Sequence, residues 1–256
     1  MLEVKGLTKK YHSFTLKEVS FSLEPGYILG LTGRNGAGKT TLIKQLIHAK
    51  TASGGTVIIN GIDAKKDPMK AKQEIGVLME EQPFLTDMTL EQNGILLGAF
   101  YERFDMEKFH AYLKRFDLYP DNVYRNLSRG MRMKFQLAFA LAHSPKLLLM
   151  DEVTGGLDVV FRRKFYYLLQ EAVEKELVSV IISTHVTEDL DKVADYVAFI
   201  EGGKLKFYES KEVLCERYRN YMCRIHGEAA GKGNVKLEDV IYYYDDIMEG
   251  KETVKT

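Results

Sequence analysis

A glycine-rich segment that ends in lysine and threonine carries the clearest chemistry in the sequence. The spacing G-x-x-x-x-G-K-[ST] is filled by Gly33, Gly38, Lys39 and Thr40. Glycine lets backbone N–H groups approach phosphate oxygens closely, and the helical pattern that follows adds positive potential at its N-terminus. Lys39 can supply a full charge to the β- and γ-phosphates, and the Thr40 hydroxyl can bind magnesium. The segment therefore predicts a loop that binds the phosphates of a nucleotide.

Two pairs of adjacent carboxylates follow strand-like runs further along the chain. Asp151 and Glu152 end a continuous apolar run, and Glu80 and Glu81 follow a shorter one. In an open parallel sheet, ligands gather at the carboxyl ends of the strands. We interpret Asp151 as a magnesium ligand and Glu152 as the group that polarises an attacking water, with a purely structural pair as the alternative. The pair at 80 and 81 fits a metal or water contact and a solvated loop equally well.

Three further side chains have a chemical and a structural interpretation. His185 lies just past an apolar run, where it can meet a terminal phosphate, although most lone histidines are surface or core residues. Ser128 precedes a long helical pattern and is a favoured N-cap, and most capped helices bind nothing. Tyr11 can stack on a purine, but spacing alone favours a partly buried surface tyrosine.

The elements that must position these residues are strands and helices in alternation. Strand patterns cover residues 2–4, 15–23, 27–32, 75–79, 147–150 and 178–183, and a hairpin around Gly202 and Gly203 joins 195–200 to 204–208. Helical patterns cover parts of 90–116, then 130–142 and 159–174. Residues 237–250 predict one helix with an apolar face.

The composition limits the classes of function. The chain has 256 residues with 36 Lys+Arg and 36 Asp+Glu, so no overall field favours nucleic acid or an acidic membrane. No apolar run approaches the ~20 residues that span a bilayer, and the first residues lack a signal-peptide core, so we expect a cytoplasmic protein. Cys215 and Cys223 match neither a disulfide scaffold nor a zinc site and are expected to be packing residues.

Together these segments resemble the ATP-binding cassette of ABC transporters over residues 1–215. The shared motifs occur in family order: Walker A GRNGAGKT (33–40), a signature-like LSRGM (127–131), Walker B LLLMDE (147–152), a D-loop-like GGLD (155–158) and the switch histidine in STH (183–185). The resemblance implies an α/β P-loop NTPase fold with a mixed β core, an antiparallel β subdomain and an α-helical subdomain at about 86–145. Residues 216–256 would form a C-terminal helical extension.

The resemblance also implies a role for each site residue, with ATP and Mg²⁺ as ligands. Adenine would stack on Tyr11. Magnesium would be held by Thr40, Asp151 and Glu80. The phosphates would be held by Asn35, Gly36, Ala37, Gly38, Lys39, Thr40 and Thr41.

The catalytic roles follow from the same resemblance. Glu152 would polarise water and His185 would contact the γ-phosphate. Ser128 and Gly130 would cap the γ-phosphate of a second cassette in a head-to-tail dimer, with Asp158 linking the two sites.

The chain departs from the family pattern in four places: the signature, the Q-loop, and positions 153 and 155. Arg129 and Met131 change the usual LSGGQ to LSRGM, and Glu80 stands in place of the Q-loop glutamine. Val153 replaces a common proline, and Gly155 replaces a serine. Because Ser128 and Gly130 are kept, we expect activity to persist.

Within the family the chain looks most like single-cassette exporter subunits of the drug, bacitracin or lantibiotic type, especially a regulator-linked Gram-positive group. Such subunits pair with a second cassette and with a separate membrane permease. The permease would hold this chain at the inner face of the cell membrane. No nucleic acid is expected as a partner. Two alternatives stay open: a soluble ABC ATPase such as an iron–sulfur assembly scaffold, and a nucleotide-bound regulator without turnover.

Overall fold

The computed structural model describes residues 1–80, 84–153, 159–226 and 235–249, and these contain one ten-stranded sheet. The strands are β1 (Leu2–Lys10), β2 (Thr15–Leu23), β3 (Ile28–Thr32), β4 (Gly54–Ile59), β5 (Ile62–Asp63), β6 (Ile75–Leu78), β7 (Leu147–Asp151), β8 (Ser179–Ser183), β9 (Tyr196–Glu201) and β10 (Lys204–Ser210). The helices are α1 (Lys39–Ile47), α2 (Pro68–Gln73), α3 (Leu90–Gly98), α4 (Met106–Arg115), α5 (Arg129–Ala142), α6 (Val159–Glu176), α7 (Thr187–Val193), α8 (Lys211–His226), α9 (Leu237–Tyr242) and α10 (Tyr244–Glu249).

The centre of the sheet is a parallel block in the order β9-β3-β8-β7-β6. Every residue of β3, β7 and β8 is buried, which explains their uninterrupted apolar sequences, because strands covered on both faces need no polar side. Leu31 and Asp151 both pair with Ser183 across neighbouring strands. The register therefore places the carboxyl ends of β3, β7 and β8 side by side.

An antiparallel block continues the sheet as β5-β4-β1-β2. Buried and exposed residues alternate along much of β1 and β2, as expected of strands with one covered face. The predicted strand at 2–4 is longer than expected and reaches Lys10, and β2 has the predicted bounds. The predicted hairpin of β9 and β10 is confirmed.

Helices α3, α4 and α5 enclose an aromatic core next to the sheet. Phe84, Phe109, Phe135 and Phe139 are buried there in mutual ring contact. Each helix begins at a side-chain cap, with Thr89, Asp105 and Ser128 accepting from a backbone N–H. The predicted N-cap role of Ser128 is confirmed. The mixed α/β fold implied by the sequence motifs is also present, with parallel, antiparallel and helical parts.

The C-terminal helices pack on the outer side of β9 and β10. Leu237 and Val240 share a buried cluster with Val197 and Phe207. Residue 215, where the cassette was expected to end, lies inside α8. Cys215 and Cys223 are half-buried on that helix. None of the helices in the described ranges has the length and hydropathy needed to cross a bilayer.

The prediction of one helix over residues 237–250 is wrong, because the helix breaks at Tyr243. The ring of Tyr243 packs against Tyr218 and Tyr221 on α8, whereas Tyr244 stacks on Phe207 of β10 at 4.1 Å. The two neighbouring rings therefore pack against different elements, on either side of the break.

Candidate nucleotide-binding site

The glycines of the loop between β3 and α1 adopt backbone conformations that side chains rarely tolerate. Gly33, Gly36 and Gly38 have φ angles of 152°, 77° and 116°. A Cβ on Gly33 would lie 2.2 Å from the Ile200 carbonyl oxygen, and one on Gly38 would lie 2.8 Å from Phe14 Cζ. The loop therefore requires glycine at these positions, as the sequence predicted, and its open side forms a cradle of backbone N–H groups.

Lys39 begins α1 and lies almost completely buried at the floor of this loop. Its Nζ donates to the Gly33 carbonyl oxygen at 2.7 Å and lies 3.5 Å from Glu152 Oε1. The side chain is 6% exposed, so its charge is directed into the cradle instead of being solvated. A phosphate group there would meet both the ammonium and the N-terminus of a helix.

The ends of β7 and β8 place two carboxylates beside the loop. Asp151 is buried and accepts from Ser183 Oγ at 2.5 Å. Glu152 has a φ of 51°, in the left-handed region, and its Oε2 lies 2.7 Å from His185 Nδ1. Glu152 thus bridges Lys39 and His185, and the strained backbone at this position is typical of a functional residue.

These residues surround a cleft of about 950 Å³. It is lined by Tyr11, Ser13, Phe14, Asn35, Gly36, Ala37, Gly38, Lys39, Thr40, Thr41, Glu80, Arg129, Glu152 and His185. Tyr11 is 48% exposed, and Lys9 Nζ lies over one face of its ring, 5.4 Å from the ring centre. The structure thus brings most of the predicted site residues into one cleft.

Three predicted site residues among the described ones do not line this cleft: Asp151, Ser128 and Gly130. Ser128 and Gly130 begin α5, and a Cβ on Gly130 would lie 3.3 Å from Phe161 Cζ, which explains the small residue there. Asp158 lies outside the described residues.

Three lining residues were not predicted as site residues: Ser13, Phe14 and Arg129. Phe14 packs against Gly38, and its aromatic side chain three positions after Tyr11 was a signal in the sequence. Arg129 was recognised as a departure from LSGGQ, but no local pattern indicates that its side chain lines this cleft beside Glu80.

The oxygen donors in the cleft suit magnesium bound together with a nucleotide. Among the described residues, no group of three or more His, Cys, Asp or Glu side chains could hold a metal ion alone. Mg²⁺ at nucleotide sites takes few protein ligands and completes its shell with phosphate oxygens and water. The Thr40 hydroxyl and the buried Asp151 carboxylate fit that arrangement.

A second concavity, which we call the apolar groove, lies between the helical region and the sheet. It encloses about 350 Å³ and is lined by Met69, Lys72, Gln73, Val77, Phe84, Leu97, Phe100, Tyr101, Phe139, Ala140 and His143. Met69 and Phe100 are 67% and 75% exposed. His143 is buried, stacks on Tyr101 and donates from Nε2 to the Ile75 carbonyl oxygen, and burial lowers its pKa to about 4.

Comparison with known proteins identifies the family. The profile of the family described as ABC transporter matches residues 16–155, more than half of the chain. This chain belongs to the ABC transporter family. It is 32% identical to the ABC transporter ATP-binding protein YtrB of Bacillus subtilis, over 85% of this chain and 75% of YtrB. It is 27% identical to the bacitracin transport ATP-binding protein BcrA of Enterococcus faecalis, over 100% of this chain and 83% of BcrA.

A solved structure shares the fold. The cassette MJ0796, in a dimeric post-hydrolysis state bound to ADP and Pi, superposes with a TM-score of 0.73 at 23% identity, over 82% of this chain and 98% of that chain. The chain is an ATP-binding subunit of an ABC transporter and an ATP hydrolase. ATP-binding subunits of this family work with membrane components and form dimers.

Proposed function

We propose that this chain is the motor subunit of an exporter, in which two cassettes associate head to tail and drive a separate membrane permease. The observation that carries the proposal is the contact of Lys39, Glu152 and His185 at the phosphate loop. A carboxylate held between an ammonium and an imidazole at the end of a strand is placed to orient a water molecule against a terminal phosphate. Exporter rather than importer is supported by the similarity to the bacitracin transport protein.

Different residues of the cleft would bind different parts of the nucleotide and its metal ion. Backbone N–H groups of residues 35–41 and Lys39 would hold the phosphates, and Tyr11 would carry the adenine. Thr40 and Asp151 would hold Mg²⁺, which neutralises charge on the phosphates when bound. Glu80 lines the same cleft and would join them, so the metal contact would be anionic where the Q-loop motif of the family has glutamine.

The dimer would complete the site from outside. Ser128 caps α5, and the first turn of this helix would present its N–H groups and Gly130 to the terminal phosphate in the other copy. Asp158, which precedes α6, would link the two sites.

Coupling to the membrane subunit would pass through residues 80–89. Glu80 lines the nucleotide cleft, and Phe84, four positions later, lines the apolar groove. The Phe100 ring and the Met69 side chain are exposed at this groove and form an apolar surface. A cytoplasmic helix of the permease would pack against this surface. A movement of residue 80 at the cleft would then be transmitted along the chain to residue 84 at the groove.

Substitution Glu152→Gln tests the proposal. The amide keeps the size of the side chain but cannot act as a base, so phosphate release with Mg·ATP should fall by about 10²-fold or more. Because hydrolysis separates the dimer, the variant should collect as an ATP-bound dimer in size-exclusion chromatography.

Wild type should elute as a monomer after turnover, and Glu174→Gln on α6 provides a control that removes a carboxylate elsewhere. A Glu152→Gln protein that stays monomeric with saturating ATP would refute the dimer mechanism. Co-purification of the chain with a multi-spanning membrane protein would support the transport role, and a soluble partner alone would contradict it.

A further inference from the structure

The position of His185 depends on the backbone on either side of it. Its side chain is 56% exposed, so packing around the imidazole does little to hold it against Glu152. Before it, the Thr184 N–H donates to the Leu31 carbonyl oxygen at 3.2 Å and fixes the chain to the sheet. After it, α7 begins at once, and Val186 gives this helix no side-chain cap. A helix of seven residues depends on tertiary contacts, so the contacts of α7 help to place His185.

Apolar packing attaches the middle of α7 to the sheet and to the C-terminal helices. Leu190 is fully buried, and a Cβ on Gly30 of β3 would lie 2.8 Å from Leu190 Cδ1. Glycine at this position therefore lets the helix approach the strand closely. Leu190 also shares a buried cluster with Leu214 of α8 and Leu237 of α9. The C-terminal helices thus pack directly on α7.

Two hydrogen bonds attach the last turn of α7 to the same two helices. Asp191 Oδ1 accepts from the backbone N–H of Leu237, the first residue of α9, at 3.1 Å. Lys236, which precedes α9, provides no side-chain cap, so Asp191 satisfies an N–H group that α9 itself cannot pair. Lys211 Nζ of α8 donates to the Asp191 backbone carbonyl oxygen at 3.0 Å. One residue of α7 therefore joins both C-terminal helices.

The surroundings of Asp191 favour a hydrogen-bond acceptor more than a charge. Burial raises the pKa of its carboxyl above the ordinary value, and the nearby carboxylates of Glu188 and Asp239 add to the increase. The Leu237 N–H and the Lys211 ammonium act in the opposite direction. A neutral amide of the same shape should therefore keep the hydrogen bond to α9 and lose little else.

A separate ion pair attaches the first half of α7 to α6. Asp189 is buried and lies 3.3 Å from Arg162 Nη1. This pair and the packing of Leu190 remain when the Asp191 hydrogen bond is lost, so we expect α7 to stay folded on the sheet. The orientation of α7, and with it the position of His185, would be less strictly fixed.

We propose that Asp191 is a positioning residue for ATP hydrolysis, which joins α9 to α7 and thereby holds His185 against Glu152. The C-terminal helices would then support the reaction, although their own residues lie outside the nucleotide cleft among the described ones. The inference rests on the proposed role of His185 at the terminal phosphate, and turnover of a His185 variant measures that role separately.

A double-mutant cycle between Asp191 and His185 in the full chain tests the inference. Asp191→Ala should lower kcat for phosphate release from Mg·ATP about three- to tenfold, the loss expected for one hydrogen bond. ADP affinity, measured by calorimetry, should change less than about twofold, because ADP lacks the phosphate that His185 meets. In a His185→Ala background, Asp191→Ala should cause no further loss of kcat, because the residue that it positions is gone. Single-turnover assays with excess protein resolve the slow rates.

Two variants serve as controls. Asp191→Asn keeps an oxygen that accepts from the Leu237 N–H, so kcat should return to within about twofold of the wild type. Glu238→Ala removes an exposed carboxylate from the first turn of α9 and should leave kcat within about twofold.

Three results would overturn the inference: an equal loss from Asp191→Ala in both backgrounds, a parallel loss of ADP affinity, or an Asp191→Asn protein as slow as Asp191→Ala. Unchanged turnover of Asp191→Ala, together with a clear loss in His185→Ala, would refute the inference alone. If His185→Ala turns over like the wild type, the proposed role of His185 is wrong and the inference fails with it.

Discussion

The nucleotide cleft, lined by Glu80, and the apolar groove, lined by Phe84, are built in opposite ways. The cleft is formed by short contiguous segments at strand ends, with charged groups in contact and backbone strain at Glu152. The groove is formed by side chains of α2, β6, α3 and α5 and of the segments next to α3 and α5, and these include the buried imidazole of His143. Charges and hydrogen bonds define the first site, and packing defines the second.

This difference predicts that substitutions in the cleft and substitutions in the groove impair different properties of the protein. Strain in the cleft persists because Lys39 and His185 hold Glu152 in place, so losing one charge should disable chemistry without unfolding the protein. The groove has exposed apolar side chains that contribute little to the stability of the isolated chain. Its substitutions should affect association with a partner.

Substitution Lys39→Ala should have the largest effect. It removes the buried cation of the phosphate loop and leaves Glu152 paired with His185 alone, so phosphate release should fall by about 10²- to 10³-fold. Steady-state phosphate release with Mg·ATP measures the loss.

The control is Lys44→Ala, which removes an exposed lysine of the same helix and should leave turnover within about twofold. Equal losses in the two variants would mean that helix α1, and not the charge at the loop, limits the reaction.

The pH dependence of stability should reveal the buried imidazole of the groove. Burial lowers the folded-state pKa of His143 to about 4, below its ordinary value of 6.5, so the unfolded chain binds this proton first as pH falls. The contribution of His143 is present above pH 6.5 and is lost between pH 6.5 and 4. Urea unfolding should show about 2 kcal/mol less stability from this group at pH 5 than at pH 7.

The variant His143→Gln lacks the titrating group and should show a correspondingly smaller decrease over the same pH range. If the two proteins lose equal amounts of stability between pH 7 and pH 5, then His143 is not held neutral by the fold.

The smallest effect on the isolated chain is expected for Phe100→Ser. Phe100 is 75% exposed, so the free energy of unfolding should change by less than about 0.5 kcal/mol, and turnover should be unchanged. In cells, however, the amount of the chain recovered with the membrane fraction should fall severalfold, because an apolar contact with the permease is lost.

Tyr119→Ser provides the matched variant, since Tyr119 is 73% exposed and does not line the groove. Membrane recovery that falls equally for both variants would show that the groove is not the contact surface.

The same difference explains what the sequence could predict. Gly33, Lys39, Asp151 and Glu152 belong to contiguous motifs at the ends of apolar runs, and parallel strands bring such ends together. The cleft could therefore be assembled from the sequence, down to the glycines that a Cβ would exclude from the loop.

Contacts between distant residues could not be predicted. The pairing of Arg129 with Glu80 joins side chains 49 positions apart through the packing of α5, and no local pattern records it. The groove spans residues from Met69 to His143 on four elements. The break at Tyr243 depends on rings of α8 and β10, so a helical pattern alone extends the helix too far.

The position of β9 has a consequence for synthesis of the chain on the ribosome. The phosphate loop follows β3, which pairs with β9, and the outer side of β9 is covered by α9. Because β3 also pairs with β8, nearly two hundred residues must be translated before the strand that precedes the phosphate loop has both of its neighbours. A nascent chain should acquire affinity for ATP only late in elongation, so a stalled or truncated product would compete little for the nucleotide pool.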